Sequence, residues 1–422
     1  MDAALLPKLS ADAHVDEPHD LWFERLEESL RDRAPRRIQA DADGGWRLVV
    51  DGEAVGWMSS SAEEAAVEEA ARTAAVAPEA RLAMMRTDHV NGEVVYPTIG
   101  LYVWNIEDPA VGRASCRVYN DWIRERLGGE DRIRLAGMVP TWDVGEAIAE
   151  VVRNAETGFA AHLLPLVGTP EWNLPEWEPL WDAVEETECP LVMHQGTGHD
   201  MIFYRGWGSA TANLLATQSM APRATALLAC SGVLERHPQL HVVLVEVNAG
   251  WLAWTMSTLD TYSQAHTQWT KPKLAEAPSA YIRRQVHATF QDDPVAIANR
   301  EITGVDCLLW GNDYPHPEST YPNSDRVLDR LLEGVDDDDV ACITGRTTSA
   351  PSAASARAVA APIPRPAPVT TATRSSNRRS TQVCLTVEAA QPPGTKPSRI
   401  SRRRVNSQRP STTPNRDRKS VV

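Results

Sequence analysis

The chain has 422 residues, of which 42% are hydrophobic and 23% charged, with a net charge of -15. That supplies apolar material for a large core, and the acidic balance argues against nucleic acid as a partner for the folded part. No run approaches the roughly 18 apolar residues of a membrane helix, and MDAALLPKLSADAH lacks the basic start and long apolar stretch of a signal peptide. A soluble, cytoplasmic protein with no membrane partner is expected. The cysteines (Cys116, Cys189, Cys230, Cys307, Cys342, Cys384) are scattered without a CxxC pair and read as reduced core residues.

In chain order, short apolar runs alternate with amphipathic stretches. The first run, Leu9 to His14, ends in Asp12-Ala13-His14. An insertion over about 20–80 follows: 20–30 reads as helix, 46–57 as a hairpin turning at Asp51-Gly52, and 62–86 as helix. The second run is 93–98 (EVVYPT), with a helix over 109–127. The third, 133–140 (IRLAGMVP), precedes a helix over 143–156. The fourth, 158–165 (GFAAHLLP), precedes one over 175–188. The fifth is 190–195 (PLVMHQ), followed by a glycine-rich loop and a long helix from about 211 to 236. The sixth is 241–247 (HVVLVEV) and the seventh 286–290 (VHATF). Helices over 294–303 and 324–334 flank the eighth run, Cys307 to Trp310, which halts at Gly311-Asn312 before Asp313.

Eight strand-like runs separated by helices predict an α/β fold of the (β/α)8 TIM-barrel type. An open dinucleotide-binding sheet would need a glycine fingerprint after its first strand, and none is present. Barrel chemistry gathers at the carboxyl ends of the strands. There stand Asp12 and His14, two apart and therefore on one face of an extended segment, with His194, Glu246 and Asp313. Each alone has a plain structural reading as a core histidine, an ion-pair partner or a turn cap. Together, imidazoles and carboxylates in a concave site make a divalent-metal set, zinc first, with manganese or iron also suited to the oxygen ligands.

DAHVDEPHDLW, PLVMHQGTG, VVLVEVNAGWLAW, HATFQDDP and LLWGNDYPHPESTYPNS resemble the amidohydrolase superfamily. Within it the likeness is to amidohydrolase family 2, the branch of aminocarboxymuconate semialdehyde decarboxylase, over residues 8 to 343. The resemblance implies a metal-dependent hydrolase of a C–N or C–C bond, or a non-oxidative carboxy-lyase. It implies metal ligation by Asp12, His14, His194 and Asp313. Glu246 stands where many members carry a catalytic histidine, which implies an acid or base role. His316, three residues past Asp313, is expected to orient substrate or support a ligand. Asp12 and Glu246 are both departures from the family pattern, and Glu246 makes the site more anionic. Aromatic residues in the loops (Trp172, Trp177, Tyr204, Trp207, Trp310, Tyr321) would suit a small aromatic or unsaturated acid as substrate, or serve plain packing. A homodimer stays open.

Composition changes abruptly near Ile343. Residues 344–422 carry a net charge of +13 and the remainder -28, and the tail is rich in Ser, Thr, Pro and Arg. Such a segment is expected to be disordered and outside the barrel domain, 1–343. A reading-frame shift near Thr344 would produce this change, which leaves a second function class: a catalytically impaired barrel retained for binding or assembly.

Overall fold

The computed structural model describes residues 8–39, 46–58, 73, 75–168, 171–198 and 204–345. Eight parallel strands follow one another around a barrel: β1 (Lys8–His14), β5 (Val90–Tyr96), β6 (Ile133–Met138), β7 (Ala161–Val167), β8 (Leu191–Gly198), β9 (Val242–Val245), β10 (Val286–Phe290) and β11 (Leu308–Trp310). Their neighbours in the sheet are their neighbours in sequence, as the TIM-barrel reading requires. Burial on both faces explains runs such as Val242–Val245, which is apolar at every position and buried throughout.

The barrel closes beyond the formal end of β11. Asp313 N donates to Asp12 O at 2.9 Å and His14 N to Tyr314 O at 2.6 Å, while Asn312 N donates to Ser10 Oγ at 2.9 Å. Gly311 makes that approach possible, since a Cβ there would lie 2.4 Å from Asp12 Cβ. Closure therefore draws the motif after β11 against the Asp12–His14 pair.

Helices form where the sequence caps them. Asp108 accepts from Ala110 N at 2.8 Å ahead of Pro109–Leu127, and Asp143 from Glu146 N at 3.0 Å ahead of Val144–Glu156. Asp293 caps Pro294–Ala298, and its other oxygen accepts from Ala249 N at 2.9 Å and Gly250 N at 2.8 Å, tying the loop after β9 to the loop after β10.

The insertion holds a three-stranded antiparallel sheet of β2 (Arg36–Gln39), β3 (Trp46–Val50) and β4 (Glu53–Met58). The expected hairpin is there, with Asp51 and Gly52 both in the left-handed region (φ 54 and 82); β2 was not foreseen. The helix expected over 20–30 is a short one, Leu21–Arg25, then a 3-10 segment, Glu28–Arg33. Of the helix expected over 62–86, Pro78–Thr87 is observed, and residues 59–72 lie outside the described set.

The helix expected over 211–236 is three pieces: Ser209–Gln218, Met220–Cys230 and Val233–Arg236. Pro222 has no N–H to continue the ladder from Gln218, and Gly232 turns left-handed at φ 79. Three helices went unread: Trp251–Ala265, Pro278–Gln285 and Asp337–Thr344. The last tucks Ile343, 3% exposed, into the core, and Gly345 follows it beside Leu9 of β1. The tail from 346 onward lies outside the described residues.

Trp172, Trp177 and Trp181 are buried, and the rings of Trp177 and Trp181 pack at an angle against Trp172 with centres 4.9 and 5.9 Å away, so the first two are core packing. Trp310 is buried as well, Tyr321 packs on Tyr314 at 5.0 Å, and Tyr204 and Trp207 are exposed. Cys116, Cys189, Cys230 and Cys307 are free thiols. Among the described residues, no helix is long and apolar enough to cross a membrane.

Candidate metal centre

The structure gathers every site residue read from the sequence at the carboxyl end of the barrel. Asp12 and His14 project together from β1, His194 from β8, Glu246 from just past β9, and Asp313 and His316 from the segment after β11. Two groups share His14: Asp12, His14 and His194, and His14, Glu246, Asp313 and His316. Within each, the candidate ligand atoms lie within 4.8 Å of one another. Glu246 and Asp313 hold left-handed backbone angles, φ 59 and 57, in residues that ordinarily avoid them. Such strain concentrates where surrounding structure aims a side chain.

The imidazoles are oriented from behind. His14 Nδ1 donates to Pro97 O at 2.8 Å and His194 Nδ1 to Gln195 O at 2.9 Å. That leaves the two Nε2 atoms facing each other at 3.1 Å. Without an ion, a proton on one Nε2 is donated to the other as a hydrogen bond; a bound ion would take that proton's place. Nitrogens sharing one zinc at tetrahedral geometry would be roughly 3.3 Å apart.

The carboxylates converge on the same point. Asp12 Oδ1 and Asp313 Oδ1 each lie 3.5 Å from His14 Nε2, and Glu246 Oε2 lies 3.6 Å from it. Asp12 Oδ1 and both oxygens of Asp313 are buried with no hydrogen bond, although His316 Nδ1 stands 3.0 Å from Asp313 Oδ1. Orphaned buried carboxylate oxygens are costly unless a cation completes them. Among the described residues, no Lys or Arg forms an ion pair with Asp12, Glu246 or Asp313. The donor set therefore fits a divalent ion of borderline or hard character.

Metal-free, the group shares its charge unevenly. Burial opposes a charged His14, but the Asp12 and Glu246 carboxylates push it up to about 10. Burial likewise opposes ionised Asp12 and Glu246, yet the imidazoles hold both below the usual carboxylate range. Asp313 goes the other way: burial, then the charges of Glu246 and Asp12, lift it well above that range. Burial and the charge on His14 press His316 down to about 3.

Several supports were not picked out from the sequence. Glu17 is fully buried and accepts from Thr98 N at 3.2 Å, Ile99 N at 2.8 Å and Gly100 N at 2.9 Å. It thereby pins the turn whose Pro97 O holds His14 and whose Thr98 Oγ1 lies 3.3 Å from His316 Nε2. Gly100 is obligatory there, since a Cβ would fall 2.6 Å from Pro97 Cβ. Thr289 accepts from Glu246 N at 2.7 Å and donates to Asp12 Oδ2 at 3.3 Å. Gln195 Nε2 donates to Glu246 Oε1. Tyr96 is buried beside His14 and His194, with ring centres 6.1 and 5.5 Å away. Glu17, Gln195 and Thr289 stand within DAHVDEP, PLVMHQGTG and HATFQDDP, but no period or spacing there points to these contacts.

A parallel eight-stranded barrel whose C-terminal mouth collects imidazoles and carboxylates around one point is the architecture of metal-binding barrel proteins. The amidohydrolase family model matches residues 11–348, and the chain belongs to that family. Its fold is similar to an amidohydrolase from Mycobacterium avium subsp. paratuberculosis (TM-score 0.67, 19% identity, covering 80% of this chain and 97% of that one). It is also similar to 5-carboxyvanillate decarboxylase from Novosphingobium aromaticivorans, solved with bound manganese and 3-methoxy-4-hydroxy-5-nitrobenzoic acid (TM-score 0.61, 16% identity, covering 81% and 96%). A third similar structure is 2,6-dihydroxybenzoate decarboxylase from Rhizobium (TM-score 0.55, 17% identity, covering 84% and 98%). No match was found among curated protein sequences.

Proposed function

We propose that the protein is a metal-dependent enzyme acting on a small aromatic or unsaturated carboxylic acid, by non-oxidative decarboxylation or by hydrolysis of a C–N or C–C bond. The observation that carries this reading is the convergence of two inward imidazole Nε2 atoms with buried carboxylates, three of whose oxygens (Asp12 Oδ1 and both of Asp313) have no hydrogen bond. The aromatic-acid decarboxylases among the similar structures support decarboxylation as the first reaction to test.

Asp12, His14, His194 and Asp313 would hold the ion, which when bound supplies a Lewis acid for a carboxylate or carbonyl oxygen and lowers the pKa of bound water to about 7. The remaining work belongs to side chains. His14 and His194 keep their Nε2 atoms turned inward because carbonyl oxygens hold the opposite edges. In decarboxylation the bond from the substrate carbon to its carboxyl carbon breaks, carbon dioxide leaves, and that carbon takes up a proton. The group that handles this proton must reach the mouth. His316 does so, 21% exposed, with Nδ1 3.0 Å from Asp313 Oδ1, so proton exchange with a buried acid is built in. Hydrolysis would use the same pair in reverse order, taking a proton from water and returning it to the leaving group.

The test is an assay of the manganese- or zinc-loaded protein against a panel of hydroxybenzoates, unsaturated dicarboxylic acids and their amides. Release of carbon dioxide from a hydroxybenzoate is the expected result. Turnover of amides alone would assign hydrolysis instead, and no turnover of any member by a metal-loaded protein would contradict the proposed substrate class.

A further inference from the structure

The family resemblance implies an acid or base role for Glu246, but its geometry points elsewhere. We propose that Glu246 is a ligand of the same ion, bound through Oε2 and held in that pose by Gln195; this rests on the metal-dependent reading above. Glu246 Oε2 lies 3.2 Å from His194 Nε2 and 3.6 Å from His14 Nε2. Asp12 Oδ1, by comparison, stands 3.9 and 3.5 Å from the same two atoms. Glu246 is therefore as deep among the imidazoles as the first-strand aspartate. An oxygen and two ring nitrogens, the opposite edges of both rings held by carbonyls, converge like this around a cation.

The other carboxylate oxygen is not free either. Oε1 accepts from Gln195 Nε2, and Gln195 Oε1 in turn lies 3.3 Å from Thr217 Oγ1. A general base needs an oxygen that looks out at the substrate. Glu246, with a side chain only 7% exposed, gives one oxygen to the imidazoles and the other to an amide. Its backbone is locked as well: Glu246 N donates to Thr289 Oγ1 at 2.7 Å, and that hydroxyl also serves Asp12 Oδ2 at 3.3 Å. One threonine thus registers two carboxylates against a shared point. Gln195 acts as a positioning residue, restricting Glu246 to one inward oxygen. The carboxylate at this position then holds the ion, and proton handling passes to His316.

The experiment is calorimetric titration of metal-free wild type, Glu246→Gln and Gln195→Leu with manganese, with the melting temperature of each metal-free protein as a control. Glu246→Gln should bind at least about 10-fold more weakly than wild type, and Gln195→Leu more weakly in the same direction by a smaller factor, as loss of a ligand's support does. Melting temperatures of the metal-free proteins should not fall in parallel. An affinity of Glu246→Gln within about 2-fold of wild type, below the loss even a supporting residue causes, overturns the assignment. If that variant does not fold, Gln195→Leu decides on the same criterion. A wild type that takes up no manganese overturns the metal reading itself, and the assignment with it.

Discussion

Asp313→Asn should reduce turnover by about 100-fold or more while leaving the fold in place, the loss expected when a group that handles charge or protons at the reacting centre is neutralised. The main chain at Asp313 closes the barrel through its N–H on Asp12 O at 2.9 Å, and that bond survives the substitution. What changes is the side chain. Both carboxylate oxygens are buried and without hydrogen bonds, and Oδ1 lies 3.5 Å from His14 Nε2 and 3.0 Å from His316 Nδ1. An amide there brings N–H groups into the proposed cation site and, on the proposed mechanism, removes the acid that would exchange protons with His316. Turnover, bound metal and melting temperature of the variant are the measurements. Retention of more than about a tenth of wild-type turnover would contradict the role given to Asp313, since such groups contribute on the order of 100-fold.

Arg81→Met should lower stability by roughly 3–5 kcal/mol, the usual consequence of stripping one partner from a buried ion pair. Arg81, on the helix Pro78–Thr87, is fully buried, and its Nε donates to Glu93 of β5. One terminal nitrogen also donates to His14 O and Ala75 O, each at 2.7 Å. Methionine fills the stem's volume but leaves the buried Glu93 carboxyl without its partner and takes a donor from the His14 carbonyl. Adding Glu93→Gln to Arg81→Met should recover part of the loss, because the unpaired carboxyl is gone. Denaturant unfolding of both variants measures this. A fall of less than about 1 kcal/mol for Arg81→Met would show that the pair is dispensable.

These sites differ in how readily the sequence exposes them. Asp12 and His14 are legible because a spacing of two on an extended run places both side chains on one face. Asp313 is legible because an apolar run stops at a glycine just before it, and Gly311 proves necessary where β1 and β11 meet. The eight strands follow from runs buried on both faces. Illegible were partners that meet only when distant segments are folded together: Glu17 under the turn at Thr98, Thr289 between Glu246 and Asp12, Gln195 against Glu246. None has a local period or spacing that announces it. Trp251–Ala265 was missed for another reason, since its exposed Trp254 and Tyr262 blur the polar-apolar alternation that marks a surface helix. The break in the helix after Gln218 was in plain view at Pro222.

The central claim is that the inward-facing donors hold a divalent ion, and titration of the metal-free protein with manganese and zinc at several pH values between 6 and 8 tests it most directly. Metal-free, the Asp12 and Glu246 carboxylates outweigh burial and raise His14 to about 10, so throughout that window His14 carries a proton the ion must displace. Saturation near one ion per chain is predicted, with affinity rising at least about 10-fold per pH unit as the proton becomes easier to remove. Uptake below about a tenth of an equivalent at every pH, by a folded preparation, would contradict the claim and favour an inactive barrel.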